Sequence, residues 1–230
     1  MSRLLANKQS LLDFVNPVET ASGTIILVST SAVPILNPDG SSKGFYGTDR
    51  DVTEREEMTR RLRRSQQEAE AANRAKSALF SILGNLVVGS KFLDLYAGTG
   101  QVGIEALSRG GNRAVFVEQS SAALRTIWSN LRHTQLDERA VVERADVLKY
   151  LVHPPQAFDF VYIAPPQYRG IWHQTLGLLD REPGWLEDDG WAIVQIHPRE
   201  FEDIPMQHLE MFDQRRYGSV MLCFYGRRSV

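Results

Sequence analysis

The sequence predicts an α/β fold with an open, mostly parallel sheet over residues 84–230, and three observations carry that expectation. In Lys91–Gly110, KFLDLYAGTGQVGIEALSRG, a short apolar run breaks into a glycine-rich turn that opens an amphipathic segment, the pattern of strand, ligand-cradling loop and helix. The runs around Leu93, Ala114–Val117 and Ala140–Ala145 each close on an acid, respectively Asp94, Glu118 and Asp146. Two further apolar runs, Phe158–Ile163 and Trp191–Ile196, follow with helical sequence at Gly170–Leu179 between them.

The first third reads differently. Thr24–Ser31 and Gly44–Thr48 are strand-like runs separated by the turn Asn37-Pro38-Asp39-Gly40, which predicts a β-hairpin. The string STSAVPILNPDGSSKGFYGTDRDVTERE resembles the C-terminal, or PAC, half of a PAS sensor domain, including its closing Asp51-Val52-Thr53-Glu54-Arg55. That resemblance spans about Asn16–Arg55, roughly half of a whole PAS domain. It implies a structural remnant over residues 1–55 without a cofactor of its own.

From Glu54 to Leu83 there is neither Gly nor Pro. Met58, Leu62, Ser65, Ala69, Ala72 and Leu79 fall near a four-three spacing, so residues 56–83 are expected to form a helical linker with a weak coiled-coil seam through which two copies can pair. A similar helix in PAS-linked sensor kinases leads into a phosphoacceptor histidine. Here no histidine precedes His133, which excludes that class.

In the glycine loop, Gly98, Gly100 and Gly103 allow a tight turn and close backbone approach, and the helix that follows offers unpaired N–H groups. Dinucleotide enzymes share this spacing. Asp94 argues against a dinucleotide, because a carboxylate there repels a pyrophosphate and attracts the sulfonium and ammonium of S-adenosylmethionine. Glu118 stands 20 residues past Gly98, the distance of a ribose-binding acid, and Asp146 is placed to meet an adenine amino group. Any one of these acids alone can equally be a helix cap; three strand-end acids in succession collect at the carboxyl edge of one sheet, where ligands of open α/β folds bind.

Taken together, DLYAGTGQVGIEALSRG, AVFVE and the helix ending in Asn130-Leu131, preceded by RAKSALFSIL, resemble the RsmD-type family of bacterial ribosomal RNA guanine-N2 methyltransferases from about Arg74 to the C-terminus. The resemblance implies a Rossmann-like, class I methyltransferase sheet of seven strands with the last antiparallel. It further implies methyl transfer from S-adenosylmethionine to the exocyclic amine of a guanine in small-subunit (16S) ribosomal RNA. Asp94, Ala97, Gly98, Thr99, Gly100, Glu118, Gln119, Asp146 and Val147 would hold the cofactor.

The acceptor side would be Ala164, Pro165, Pro166, Gln167 and Tyr168, where the family has Asp-Pro-Pro and an aromatic residue. Ala164 replaces that Asp. An acceptor must orient the guanine amine toward the methyl group, so a backbone carbonyl near Pro165 or the Gln167 amide would have to serve. Tyr168 can stack on an extruded base or simply cover the sheet edge. The family's basic N-terminal strand pair and Arg-Pro-Thr segment are not recognisable here. The competing reading is an interaction module carrying a lapsed methyltransferase-like domain: Ala164 and the missing arm favour it, and the three acids oppose it.

Composition narrows the classes. A chain of 230 residues with 43% apolar content can bury a full α/β core. Residues 74–230 carry 17 Lys and Arg against 18 Asp and Glu, so RNA contact would need local patches such as Arg109 with Arg113, Arg169, Arg215-Arg216 or Arg227-Arg228. Trp172, Trp185 and Trp191 read as packing residues, with base stacking as an alternative for Trp172. A lone Cys223 excludes an internal disulfide, the five histidines lack ligand spacing, and no leader or membrane-spanning run is present; the expectation is a cytoplasmic protein without a metal.

Overall fold

The computed structural model describes residues 10–228; the expectation about a leader falls on residues 1–9, which lie outside the described residues. The chain forms two compact units that divide between Gln67 and Glu68.

The first unit is a three-stranded antiparallel meander of β1 (Leu11–Glu19), β2 (Ile25–Leu36) and β3 (Ser42–Asp51), in that spatial order. The expected hairpin is β2–β3. Its turn closes where Asn37 N–H donates to Ser41 O and the Asp39 carboxylate accepts from the Ser41 hydroxyl at 2.6 Å. A third strand, β1, stands where the sequence shows no clean alternation: it contains Pro17, which lacks an N–H and is tolerated because β1 is an edge strand.

Helix α1 (Thr53–Leu83) begins where the Asp51 carboxylate accepts from both the N–H and the hydroxyl of Thr53. The helix exists as expected, and the face it buries within the chain differs from the expected seam. Met58 and Leu62 are exposed, and the buried positions are Ala71, Ala75, Leu79, Phe80 and Leu83, which share only Leu79 with the predicted stripe. The last turns of α1 are therefore part of the second unit's core and not a linker ending at residue 83. Small alanines there admit the close packing that larger residues would block.

The second unit is built on a seven-stranded sheet of β4 (Lys91–Leu95), β5 (Arg113–Glu118), β6 (Ala140–Arg144), β7 (Phe158–Ile163), β8 (Leu186–Ile196), β9 (Leu209–Tyr217) and β10 (Val220–Arg227). Its order is β6-β5-β4-β7-β8-β10-β9, with β10 antiparallel to both neighbours and the other contacts parallel. The helices are α2 (Gln101–Ser108), α3 (Ser121–Thr134), α4 (Val147–Tyr150) and α5 (Ile171–Arg181). Strands β4 and β7 are buried nearly throughout, as central parallel strands covered on both faces must be. One core layer joins Leu79, Phe80, Phe92, Phe116 and Phe224; the other joins Leu93, Val161, Trp172, Trp185 and Cys223.

Burial of Trp172 in this second layer removes it as a base-stacking candidate. Burial also pushes the Cys223 thiol up to about 12, so it is an unreactive packing residue. At the far side, buried Asp180 accepts from the N–H groups of Gln207, His208 and Leu209 and fixes the start of β9. The order places the carboxyl ends of β6, β5, β4 and β7 side by side, with the reversal of chain direction across the sheet falling between β4 and β7.

Candidate functional site

Strand β4 ends at Leu95 and the chain turns on three left-handed residues, Tyr96 (φ 63°), Gly98 (φ 56°) and Gly100 (φ 77°), before α2. Gly103, in the first turn of α2, could carry no side chain: an added Cβ would lie 2.4 Å from the Phe116 ring. Its role is helix-to-strand contact. Asp94 lies beneath the loop, 2% exposed, and accepts from the Gly103 N–H at 2.9 Å. Burial pushes its carboxyl up to about 7; the Gly103 N–H opposes that rise and the charge of Glu118 adds to it.

Glu118, at the end of β5, is held at both oxygens. Oε2 accepts from Gly98 N–H at 2.9 Å and Oε1 from Ser120 N–H at 2.7 Å, so its carboxylate ties the glycine loop to the β5 end in a fixed orientation. Asp146 caps α4, its Oδ1 accepting from Lys149 N–H at 3.1 Å, and still borders the open space above the sheet. Asn130 of α3 reaches back to Thr99 O at 3.0 Å and braces the loop from the other side.

These strand ends surround a cleft of about 440 Å³, within the range of small-molecule sites. Nine of the sequence-predicted residues line it: Gly98, Glu118, Gln119, Asp146, Val147, Ala164, Pro165, Pro166 and Gln167. Asp94, Ala97 and Thr99 line a second, smaller cleft that shares Tyr96 and Ala164 with the first. Two predicted residues line neither. Gly100 is buried against Ile127 and Ile104, and its φ of 77° starts α2; Tyr168 is 62% exposed, with its backbone N–H held by Glu200 and its ring 5.5 Å from that of His197.

Sequence reasoning missed several lining residues. Tyr96 borders both clefts, its hydroxyl 2.6 Å from that of buried Thr175. In the second cleft Tyr162 donates to Gln195 Oε1 at 2.5 Å, and burial keeps the Tyr162 phenol protonated far into the alkaline range. Lys76 of α1 approaches from the opposite side, 3.4 Å from Gln101. Only the β-strand pairing of Tyr162 with Ile193 and Ile163 with Val194 brings Gln195 beside Ala164, so spacing along the chain held no signal for it. Among the patches named for RNA, Arg109 is ion-paired with Glu105, Arg215 with Asp213 and Arg227 with Asp188; Arg169 borders the large cleft.

The cleft suits an adenosine. Val117, Ala145, Val147, Leu148 and Ile171 offer apolar surface to a flat base, and Glu118 and Asp146 can accept hydrogen bonds from hydroxyl and amino groups. Two carboxylates against a single arginine do not complement a pyrophosphate. Among the described residues no group of His, Cys, Asp and Glu is arranged to hold a metal. No helix among them is long and apolar enough to cross a membrane.

Residues 61–226 match the family described as conserved hypothetical protein 95. The Bacillus subtilis (strain 168) protein YlbH is 33% identical over 161 residues, 68% of this chain and 86% of its own length. Ribosomal RNA small subunit methyltransferase D of Escherichia coli (strain K12) is 30% identical over 123 residues, 54% of this chain; the match spans 61% of that relative's length. Among solved structures, the Escherichia coli protein yhhF superposes with a TM-score of 0.63 at 26% identity, covering 68% of this chain and 88% of that one.

Proposed function

The chain belongs to the family described as conserved hypothetical protein 95, and on that premise we propose that it is an S-adenosylmethionine-dependent methyltransferase acting on the exocyclic N2 amine of a guanine in small-subunit ribosomal RNA. The observation that carries this reading is the meeting of nine predicted residues, from the ends of β4, β5, β6 and β7, in one cleft at the carboxyl edge of the sheet. A relative named as a small-subunit ribosomal RNA methyltransferase supports the substrate class.

In this reading Glu118 takes the ribose hydroxyls, Asp146 the adenine amine, and the Gly98 loop the remainder of the nucleoside. S-adenosylmethionine supplies an electrophilic methyl group. The chain must then present the guanine amine, whose lone pair is delocalised into the ring, in the right orientation. Ala164 brings no carboxylate to do this. Gln167 in the large cleft and Gln195 in the adjoining one supply carbonyl oxygens instead, the latter oriented by Tyr162. Cytoplasmic location follows from such a substrate. Residues 16–55 we read as a PAC-like remnant with a structural role, and the exposed Met58 and Leu62 as the surface through which two copies can pair.

The test is transfer of labelled methyl from S-adenosylmethionine to small ribosomal subunits and to their naked RNA, with N2-methylguanosine as the expected product. Binding of S-adenosylhomocysteine without any transfer would reject the enzyme and leave the lapsed module. Glu118→Ala is expected to weaken S-adenosylhomocysteine binding by about 1–3 kcal/mol, since ribose hydroxyls and the Gly98 and Ser120 N–H groups lose their acceptor; unchanged affinity in a calorimetric titration would remove that residue from the site. Gln167→Ala and Gln195→Ala, compared side by side, are expected to separate the acceptor: whichever carries it loses about 10²-fold in kcat at unchanged cofactor affinity.

A further inference from the structure

Helix α3 carries a second feature that the cleft does not use. Its inner face, Ile127 and Leu131, is buried, and Asn130 braces the glycine loop. The outward stripe at Arg125, Trp128, Ser129 and Arg132 follows the i, i+3, i+4, i+7 spacing of one helical face and forms a shallow concavity. Trp128 is 38% exposed, whereas Trp172 and Trp185 are in the core. Neither Arg125 nor Arg132 is ion-paired among the described residues, in contrast to Arg109, Arg215 and Arg227. The whole of α3, SAALRTIWSNLRHT, holds two arginines and a histidine and no acid, in a chain where acids outnumber bases 28 to 26.

We propose that this stripe is a single-stranded RNA contact: Trp128 stacks an unpaired base, and Arg125 and Arg132, about 10 Å apart along the helix, hold the phosphates on either side. Arginine suits this task because its guanidinium pairs with phosphate through two parallel donors and stacks on bases. A protein partner fits less well, because one indole among Ser129, Thr126 and His133 lacks the apolar area that an interface core requires. The inference rests on the ribosomal RNA reading only in that the strand bound here would flank the methylated guanine.

The experiment uses the full chain and a mixed-sequence single-stranded RNA of about 12 nucleotides. Titration is expected to quench tryptophan fluorescence. Trp128→Ala is expected to weaken RNA binding roughly tenfold, and the Arg125→Ser, Arg132→Ser double variant to flatten the slope of log affinity against log salt by about 1.4. S-adenosylhomocysteine affinity and the circular dichroism spectrum should stay as they are in both, since the three side chains lie on the helix surface. RNA affinity and salt slope unchanged in both variants would overturn the proposal, as would a protein, and not RNA, being what the variants release. Methyl transfer to ribosomal RNA with an unaltered KM in the variants would reject the stripe and keep the enzyme; RNA binding through the stripe by a chain that transfers no methyl would do the reverse.

Discussion

Phe80→Ala is expected to lower the unfolding free energy of the second unit by about 3–5 kcal/mol, the range for truncating a fully buried phenylalanine. Phe80 is 1% exposed within the layer that holds Phe92, Leu107 and Phe116, and the Arg109 guanidinium sits 5.1 Å from its ring centre. The matched control is Leu62→Ala on the same helix, 59% exposed, for which a change within about 0.5 kcal/mol is expected. Urea unfolding monitored by the buried tryptophans measures both. A large effect at Leu62 with a small one at Phe80 would restore the coiled-coil seam as the helix's main packing surface. The expected pattern instead makes the last turns of α1 inseparable from the sheet, so that truncating the chain at residue 84 should leave an insoluble remainder.

Asp94→Asn is expected to stabilise the protein at pH 8 and to leave it unchanged near pH 3. The Asp94 carboxyl is raised from its ordinary 3.8 to about 7 in the folded chain, chiefly by burial. The folded state therefore holds a proton that the unfolded state releases. The stability this provides is complete below pH 3.8 and is lost progressively as pH rises to about 7. Across that window the ionised form costs at most about 4 kcal/mol, the energy of a shift of this size. Asn keeps an acceptor for the Gly103 N–H without the charge. Thermal unfolding at the two pH values measures the difference, and a gap that does not widen with pH would show that Asp94 ionises without penalty. A ligand cation in the second cleft, which Asp94 lines, favours the ionised form. Binding of S-adenosylmethionine near pH 7 is then expected to release a proton, seen as a heat that varies with the ionisation enthalpy of the buffer.

The strand ends that border the candidate cleft were legible because a strand end shows in sequence as an apolar run closing on an acid. Glu118 and Asp146 were readable for that reason. Asp94 was readable as a residue but not in its setting, since nothing local to it reveals that the Gly103 N–H and full burial surround it. Gly100 and Gly103 were read as ligand-facing from their spacing, whereas Gly103 meets the Phe116 ring, a contact that exists only once α2 packs on β5. Strand β1 escaped because an edge strand needs no continuous apolar pattern and tolerates Pro17.

By itself the sequence determined the α/β class, the glycine loop and the strand-end acids, because each depends on residues within about a dozen positions of one another, where periodicity and turn chemistry operate. Only the tertiary structure decided which face of α1 is buried, that Gln195 and Tyr162 stand beside Ala164, and that Trp128 lies on the surface between two unpaired arginines. Those facts follow from strand order and helix docking, which bring together side chains tens of residues apart through packing that no local pattern encodes.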